Sequence, residues 1–529
     1  MARRSRLLLF FGFGLTIAAL YFWRMATAPV YLYHDEVFFA VQAHSISTTF
    51  RDLNGNVLPL YFNMRGIYWC SPEHVYLAAL LLRFLHISDG VIRIPSVVMG
   101  LVSAFMMYFL GRRVFRSDWF GMLAAGVLAL TPALFTASRF KVESHYPLPF
   151  VIGWLLCVFR FEDTRHAGWL LAAGAVLGFG IYSYHASPVM MALYVVLTAG
   201  LLAWSGEARP GRLAALVLGF GLIALPYVIF VAAHPEYVGS EMKTYLSDGH
   251  PLGVLENLRQ VVTWPGLTGR LRIYYDFFNP SFLFFSGGSS SLDTTSHAGV
   301  FLMPLAVLLP AGIYRILTAE AKAARFLLVG LLTAPVAASM VLEPYATRRI
   351  LFMLPFAALI AVYGVRHFVT SQQRLARLCG IGLVAAIPVC FGYFYFDYTG
   401  NYRVRSAFWF ESNIRGALES AIDDATGTSP PPRIFISIGM NQFIEWFWKF
   451  YLLKHDEVAL EAQTTYFDPR KPAEIRFPAR ALVVSEASAR ERLVSQPGAD
   501  LIERTRVLEP TGEVSFYVWR TGPGDDRPQ

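Results

Sequence analysis

Three short stretches of this sequence place carboxylates, guanidinium groups and imidazoles at the edges of apolar runs. The first is Tyr33-His34-Asp35-Glu36. Adjacent carboxylates at a membrane boundary are expensive to desolvate. They can act as the base that takes a proton from a hydroxyl, or cap a helix starting near Val37. The second is Ser138-Arg139-Phe140-Lys141-Val142-Glu143-Ser144-His145, which adds a carboxylate, two cations and a His. Arg and Lys at a helix end can simply anchor it at the interface, but an anchor has no use for Glu143. The third is Glu343-Pro344-Tyr345-Ala346-Thr347-Arg348-Arg349. Paired guanidiniums suit an anionic phosphate, with phospholipid headgroups as the competing partner. Arg65 and His297 are further candidates beside these loops. Together they offer cations for an anionic leaving group and a base for an incoming hydroxyl.

Membrane helices must hold these residues. Of 529 residues, 55% are hydrophobic and 16% charged, and mean hydropathy is +0.44. A soluble domain carries about a quarter charged residues. Apolar runs long enough to span a bilayer fall near 7–25, 94–111, 119–137, 147–160, 168–184, 187–204, 213–232, 299–317, 325–342, 349–365 and 378–396. A chain of roughly eleven transmembrane helices follows. The first run is longer than a signal peptide's apolar core and lacks a small-residue cleavage site, so it reads as a retained helix. Net charge is +8. The arginines punctuate the ends of apolar runs rather than forming the aromatic-interleaved face of a nucleic-acid binder. With the N-terminus in the cytoplasm, the short inside loops carry Arg112, Arg113 and Arg116, then Arg160 and Arg165, Arg209 and Arg212, Arg315 and Arg325, and Arg366 and Arg374. That is the positive-inside pattern. It puts the three chemical loops outside, and Arg348-Arg349 is the exception that needs an anionic partner. Three of the four cysteines sit in apolar runs, so no disulfide framework is implied.

Regions outside the spans, near 29–92 and 233–298, are too long for simple turns. Helices near 36–50 and 73–87 read as amphipathic and interfacial. Composition turns soluble near Tyr398, dividing the chain into a membrane domain, 1–397, and an extracytoplasmic α/β domain, 398–529. Within the latter, strands are expected at 433–438, 481–485, 502–508 and 514–519, and helices near 441–454 and 488–495. No internal repeat is visible.

Taken in order, these motifs resemble the GT-C superfamily of polyprenyl-phosphate-sugar-dependent glycosyltransferases, which includes the protein O-mannosyltransferases and the lipid A aminoarabinose transferase. The acidic pair after the first span carries the resemblance, with Arg93-Ile94-Pro95-Ser96-Val97 continuing to Tyr108–Phe115. Ser138-Arg139 with Glu143, then Phe278–Gly288, and Glu343–Pro355 complete it. It covers most of residues 1–365. Two departures stand out: Glu143 where several relatives have Asp, and Arg65 near the place where many carry a Lys. The resemblance implies a GT-C-like fold and a single inverting displacement. Asp35 would be the general base, Glu36 its neighbour in the acceptor site, and Glu143 would orient acceptor or base. Arg348, Arg349 and Arg65 would hold the carrier phosphate, with His34, Arg139, His297 and Tyr345 also lining the substrate site.

The expected partners are a polyprenyl-phosphate sugar donor, a lipid, glycan or protein acceptor, and membrane lipids, with no nucleic acid. No cofactor is required by the resemblance, although Asp35, Glu143 and His34 are oxygen- and nitrogen-rich enough for Mg²⁺ or Mn²⁺. The expected site of action is the outer face of the inner (cytoplasmic) membrane. A lipid-linked-sugar transporter or flippase would share the many spans, but transporters usually show repeats and mid-span charges. A non-catalytic envelope assembly protein would leave the charged loops without a purpose.

Overall fold

The computed structural model describes residues 3–64, 68–140, 142–246, 254–320, 322–471, 475–496 and 500–522, so Arg65 and Lys141 lie outside the described residues. The chain divides into two compact units. One comprises residues 1–23, 51–77 and 93–397, the other 24–50, 78–92 and 398–529. The first unit ends at Asp397 and the last segment of the second begins at Tyr398. Segments 24–50 and 78–92, which the sequence reading left with the membrane domain, belong with the tail.

In the first unit every expected span contains a helix, from Arg3–Phe22 through Ile94–Phe115 and Leu148–Thr164 to Arg374–Asp397. Among the described residues, six helical stretches are long and apolar enough to cross a bilayer. Others are interrupted. The expected 119–137 span is Asp118–Ala129 followed by Pro132–Ala137, broken where Pro132 has no N–H to continue the ladder. On Pro210–Ala233 the side chains of Val217, Leu218, Leu222, Leu225, Val228 and Ile229 are exposed, the surface a hydrocarbon solvent requires. Where helices meet, small residues let backbones touch. Gly312 on Leu305–Ala319 and Gly364 on Leu354–Val369 each sit where a Cβ would collide with a carbonyl of the other helix, Ile360 and Leu308 respectively. A short antiparallel hairpin, β1 (Phe62–Met64) with β2 (Tyr68–Cys70), completes this unit's strands.

The second unit is built on a five-stranded sheet. Its strands are β3 (Ile434–Ser437), β4 (Thr464–Phe467), β5 (Leu482–Glu486), β6 (Leu501–Leu508) and β7 (Val514–Thr521), in the order β4-β3-β5-β7-β6. The β4, β3 and β5 strands run parallel, and β7 and β6 add antiparallel. Central β3 is buried at every position, as a strand covered on both faces must be. Four strands and the helices Ile444–Lys454 and Arg490–Val494 lie where the sequence pattern put them. Edge strand β4 and the helix Ile414–Thr426 were not foreseen. Helix His34–Thr49 was expected as an interfacial amphipath. Instead all residues from Glu36 to Ala43 are buried. The run Val37-Phe38-Phe39-Ala40-Val41 is apolar around the whole helix, so no face is left for water. Val37, Ala40 and Val41 share a core with Ile414, Leu418, Phe447 and Trp448.

Candidate active site

Glu143 lies in the loop between Pro132–Ala137 and Leu148–Thr164, and it is 6% exposed. A lone buried carboxylate would hold its proton. Two imidazoles prevent that. Nε2 of His185, from the turn before Ser187–Trp204, lies 2.8 Å from one carboxylate oxygen. Nδ1 of His74, in the first turn of Pro72–Leu82, lies 3.3 Å from the other. Burial pushes the Glu143 carboxyl up, but His185, His74 and the Ser71 N–H together hold it below the usual range. His185 in turn faces Glu241 through Nδ1 at 3.2 Å, which fixes the ring between two acids. Next to His74, burial alone pushes the carboxyl of Glu73 up to about 8. Beside this group an aromatic cluster gathers Tyr61, Trp69, Phe230 and Tyr237. His185, His74, Glu241 and Glu73 all lie outside the three motifs that the sequence singles out. A single His or Glu near a helix end gives no local sign of its long-range partner.

Arg348 and Arg349 form one helical turn on the loop before Leu354–Val369. Glu343, at the start of that loop, binds both, 2.8 Å from Arg348 and 2.8 Å from Arg349. Arg348 also reaches Asp293 at 3.2 Å. Burial raises the Asp293 carboxyl more than Arg348 and Arg349 lower it, whereas the two guanidiniums outweigh burial and hold Glu343 low. Arg348 and Arg349 are therefore faced by two carboxylates, Glu343 of the loop and Asp293 from an earlier segment. Tyr345, with φ of 56°, donates its hydroxyl to Asp276 at 3.3 Å. His297 is separate, paired with Asp397 at 3.2 Å.

Arg139, expected in the substrate site, is fully buried. It donates to the carbonyl of Tyr21 at 2.5 Å and lies over the Phe135 ring. Its guanidinium is spent on the end of the first helix, where backbone carbonyls lack intrahelical donors. Arg65 lies outside the described residues.

The second unit carries the acidic pair. Asp35 and Glu36 sit in the first turn of His34–Thr49, and their environments differ. Glu36 is fully buried, and its carboxylate accepts from the backbone N–H of Tyr33 at 3.0 Å. That is the reciprocal half of a capping box, so the cap reading holds for Glu36. The Asp35 side chain is 38% exposed. His34 faces Asp35 through Nε2 at 3.6 Å and Glu411 through Nδ1 at 2.6 Å. Its ring stacks on Phe443 at 4.6 Å. Glu411 also accepts from Asn441, and its φ of 65° places a non-glycine residue in the left-handed region, a strained conformation found at functional sites. Among the described residues no three His, Cys, Asp or Glu side chains converge as a metal site.

Residues 71–233 match the family model for dolichyl-phosphate-mannose-protein mannosyltransferase. No curated protein matches the chain in sequence. The fold is similar to that of ArnT from Cupriavidus metallidurans bound to undecaprenyl phosphate, with a TM-score of 0.59 at 13% identity and all of both chains covered. The apo state of ArnT from the same organism is similar at a TM-score of 0.57 and 14% identity, again over both whole chains. The match to a mannosyltransferase family over residues 71–233 and the ArnT-like fold along the whole chain both agree with the resemblance to the GT-C superfamily that the motifs carried.

Proposed function

We propose that this protein is a glycosyltransferase that moves a sugar from a polyprenyl-phosphate carrier to an acceptor hydroxyl at the outer face of the inner (cytoplasmic) membrane. The observation that carries the reading is the buried carboxylate of Glu143, faced by His185 at 2.8 Å and His74 at 3.3 Å. It lies in the same unit as the loop bearing Arg348 and Arg349, within a fold similar to that of a protein solved with undecaprenyl phosphate. Sugar transfer from a lipid phosphate needs both parts. A guanidinium stabilises the charge left on the carrier phosphate, and carboxylates orient and deprotonate the acceptor.

In this proposal Asp35, the exposed member of the acidic pair, takes the acceptor proton as the hydroxyl oxygen attacks the anomeric carbon. The bond to the carrier oxygen breaks in the same step, and the configuration inverts. His34, held by Glu411, keeps Asp35 in place. Glu143, kept ionised by its two imidazoles, receives hydrogen bonds from the acceptor sugar, glycan, lipid or protein. Arg348 and Arg349 take the carrier phosphate by exchanging Glu343 for it. The reaction so written needs no metal.

The test is direct. Purified protein is incubated with undecaprenyl phosphate bearing a labelled sugar and with an extract of cell-envelope lipids and glycans. Label appearing on an acceptor, with the anomeric configuration of the transferred sugar inverted and undecaprenyl phosphate released, is the expected result. Movement of the intact labelled carrier across vesicles, without cleavage, would show a transporter instead.

A further inference from the structure

The helix Leu148–Thr164 begins just after the Glu143 loop and carries Arg160 and Asp163 near its other end. At 1.5 Å per residue, Arg160 lies about 18 Å along the helix from Leu148. There the helix meets the last turn of Ile94–Phe115 and the start of Asp118–Ala129. A cavity of about 620 Å³ opens between them, lined by Arg112, Arg113, Arg116 and Arg160, with Phe109 and Leu156 on its apolar wall.

The charges in this cavity do not balance. Arg112 pairs with Asp118 at 2.9 Å. Arg113 pairs with Asp163, and Arg116 shares the same carboxylate at 3.8 Å. Among the described residues Arg160 has no carboxylate partner and lies over the Trp169 ring at 5.9 Å. Four guanidiniums thus face two carboxylates, Asp118 and Asp163, leaving two positive charges over. The neighbouring Arg165 and Arg212 are matched by Glu162 and Glu207. Phe109 and Leu156 each lie one turn deeper in their helices than the arginines, on the side of the hydrocarbon.

We propose that this cavity binds the phosphate headgroup of an anionic phospholipid. The guanidinium rim takes the phosphate, and the acyl chains run inward past Phe109 and Leu156. Basic cavities between helices at the cytoplasmic ends of spans are suited to such headgroups. A free phosphate would use the rim but gain nothing from the apolar wall. The proposal rests on the membrane reading and the charge pattern, and is independent of the transfer chemistry.

The test is native mass spectrometry of the full chain released from detergent with phosphatidylglycerol or phosphatidylcholine. Phosphatidylglycerol should be retained about tenfold better. The triple variant Arg112→Gln, Arg116→Gln, Arg160→Gln should lose that preference. Arg113 stays, because its pairing with Asp163 joins two helices. A second measurement needs no variant. A photoactivatable phosphatidylglycerol should cross-link the unaltered protein within residues 109–118 and 156–163. Equal retention of the two lipids, or cross-links confined to other regions, would overturn the site. So would displacement of the lipid by millimolar inorganic phosphate, which would mark a free-anion site instead.

Discussion

At the scale of single residues, the two members of the acidic pair separate by burial. Asp35→Asn keeps shape and hydrogen-bonding capacity but removes the carboxylate proposed as the base. Transfer should fall by about 10²-fold or more, with the protein still folded. Glu36→Ala removes the carboxylate that caps Tyr33 and should lower the unfolding temperature by an amount set by about 1 kcal/mol. Near-normal turnover in Asp35→Asn would remove Asp35 from the mechanism. The arginine loop behaves differently because it is already paired. Glu343→Gln removes the carboxylate that binds both guanidiniums, so the donor KM should fall severalfold while Arg348→Ala raises it. Equal donor KM values for Arg348→Ala and the unaltered protein would assign the loop to headgroup contact. Glu73 supplies a pH-dependent case. The fold holds its proton up to about pH 8, while the unfolded chain releases it near 4.5. Between those values the folded state binds more protons than the unfolded state, so its stability falls as pH rises. Glu73→Gln should raise the unfolding temperature at pH 8 and leave it nearly unchanged at pH 4. An identical pH profile for both proteins would show that Glu73 is ionised in the fold.

At the scale of elements, close helix contact depends on Gly312 and Gly364. Gly364→Val would drive a side chain into the carbonyl of Leu308, an overpacking that costs about 1–3 kcal/mol. Thermal unfolding in detergent should show the loss. Gly382→Val, where a side chain meets nothing within 4 Å, should not. The helices themselves were legible because an apolar run of span length is a local signal. The central strands of the tail were legible for the same reason, with Arg433–Ile438 and Ala481–Ser485 standing out as short apolar blocks. Edge strand Thr464–Phe467 is two Thr followed by Tyr and Phe, a pattern that local hydrophobicity hardly marks. The partners of Glu143 were beyond reach for another reason. His74 and His185 are each isolated in sequence, and only the packing of three separate helix ends brings them to one carboxylate. Arg139 shows the converse: its motif neighbours suggest a substrate-site cation, while its contact with the carbonyl of Tyr21, 118 residues away, leaves no local sign in the sequence.

At the scale of the whole molecule, the orientation we propose from the charge pattern of the loops has the tail outside the cytoplasm. A reporter active only outside, fused after Trp519, should work, and a cytoplasm-only reporter there should be silent. The opposite result would invert the orientation and move the site to the other face.

The second unit takes time to assemble during synthesis. Its hydrogen bond between His34 and Glu411 joins residues 377 positions apart. At roughly 5–20 residues per second, the ribosome reaches Glu411 some 20–80 s after His34 has been made. During that interval the Val37–Val41 helix has left the ribosome without the core that will cover it. A chaperone or neighbouring lipid must shield it, and a chain whose synthesis stops early never acquires the geometry around Asp35. Catalytic competence is thereby deferred until the last strands have been synthesised.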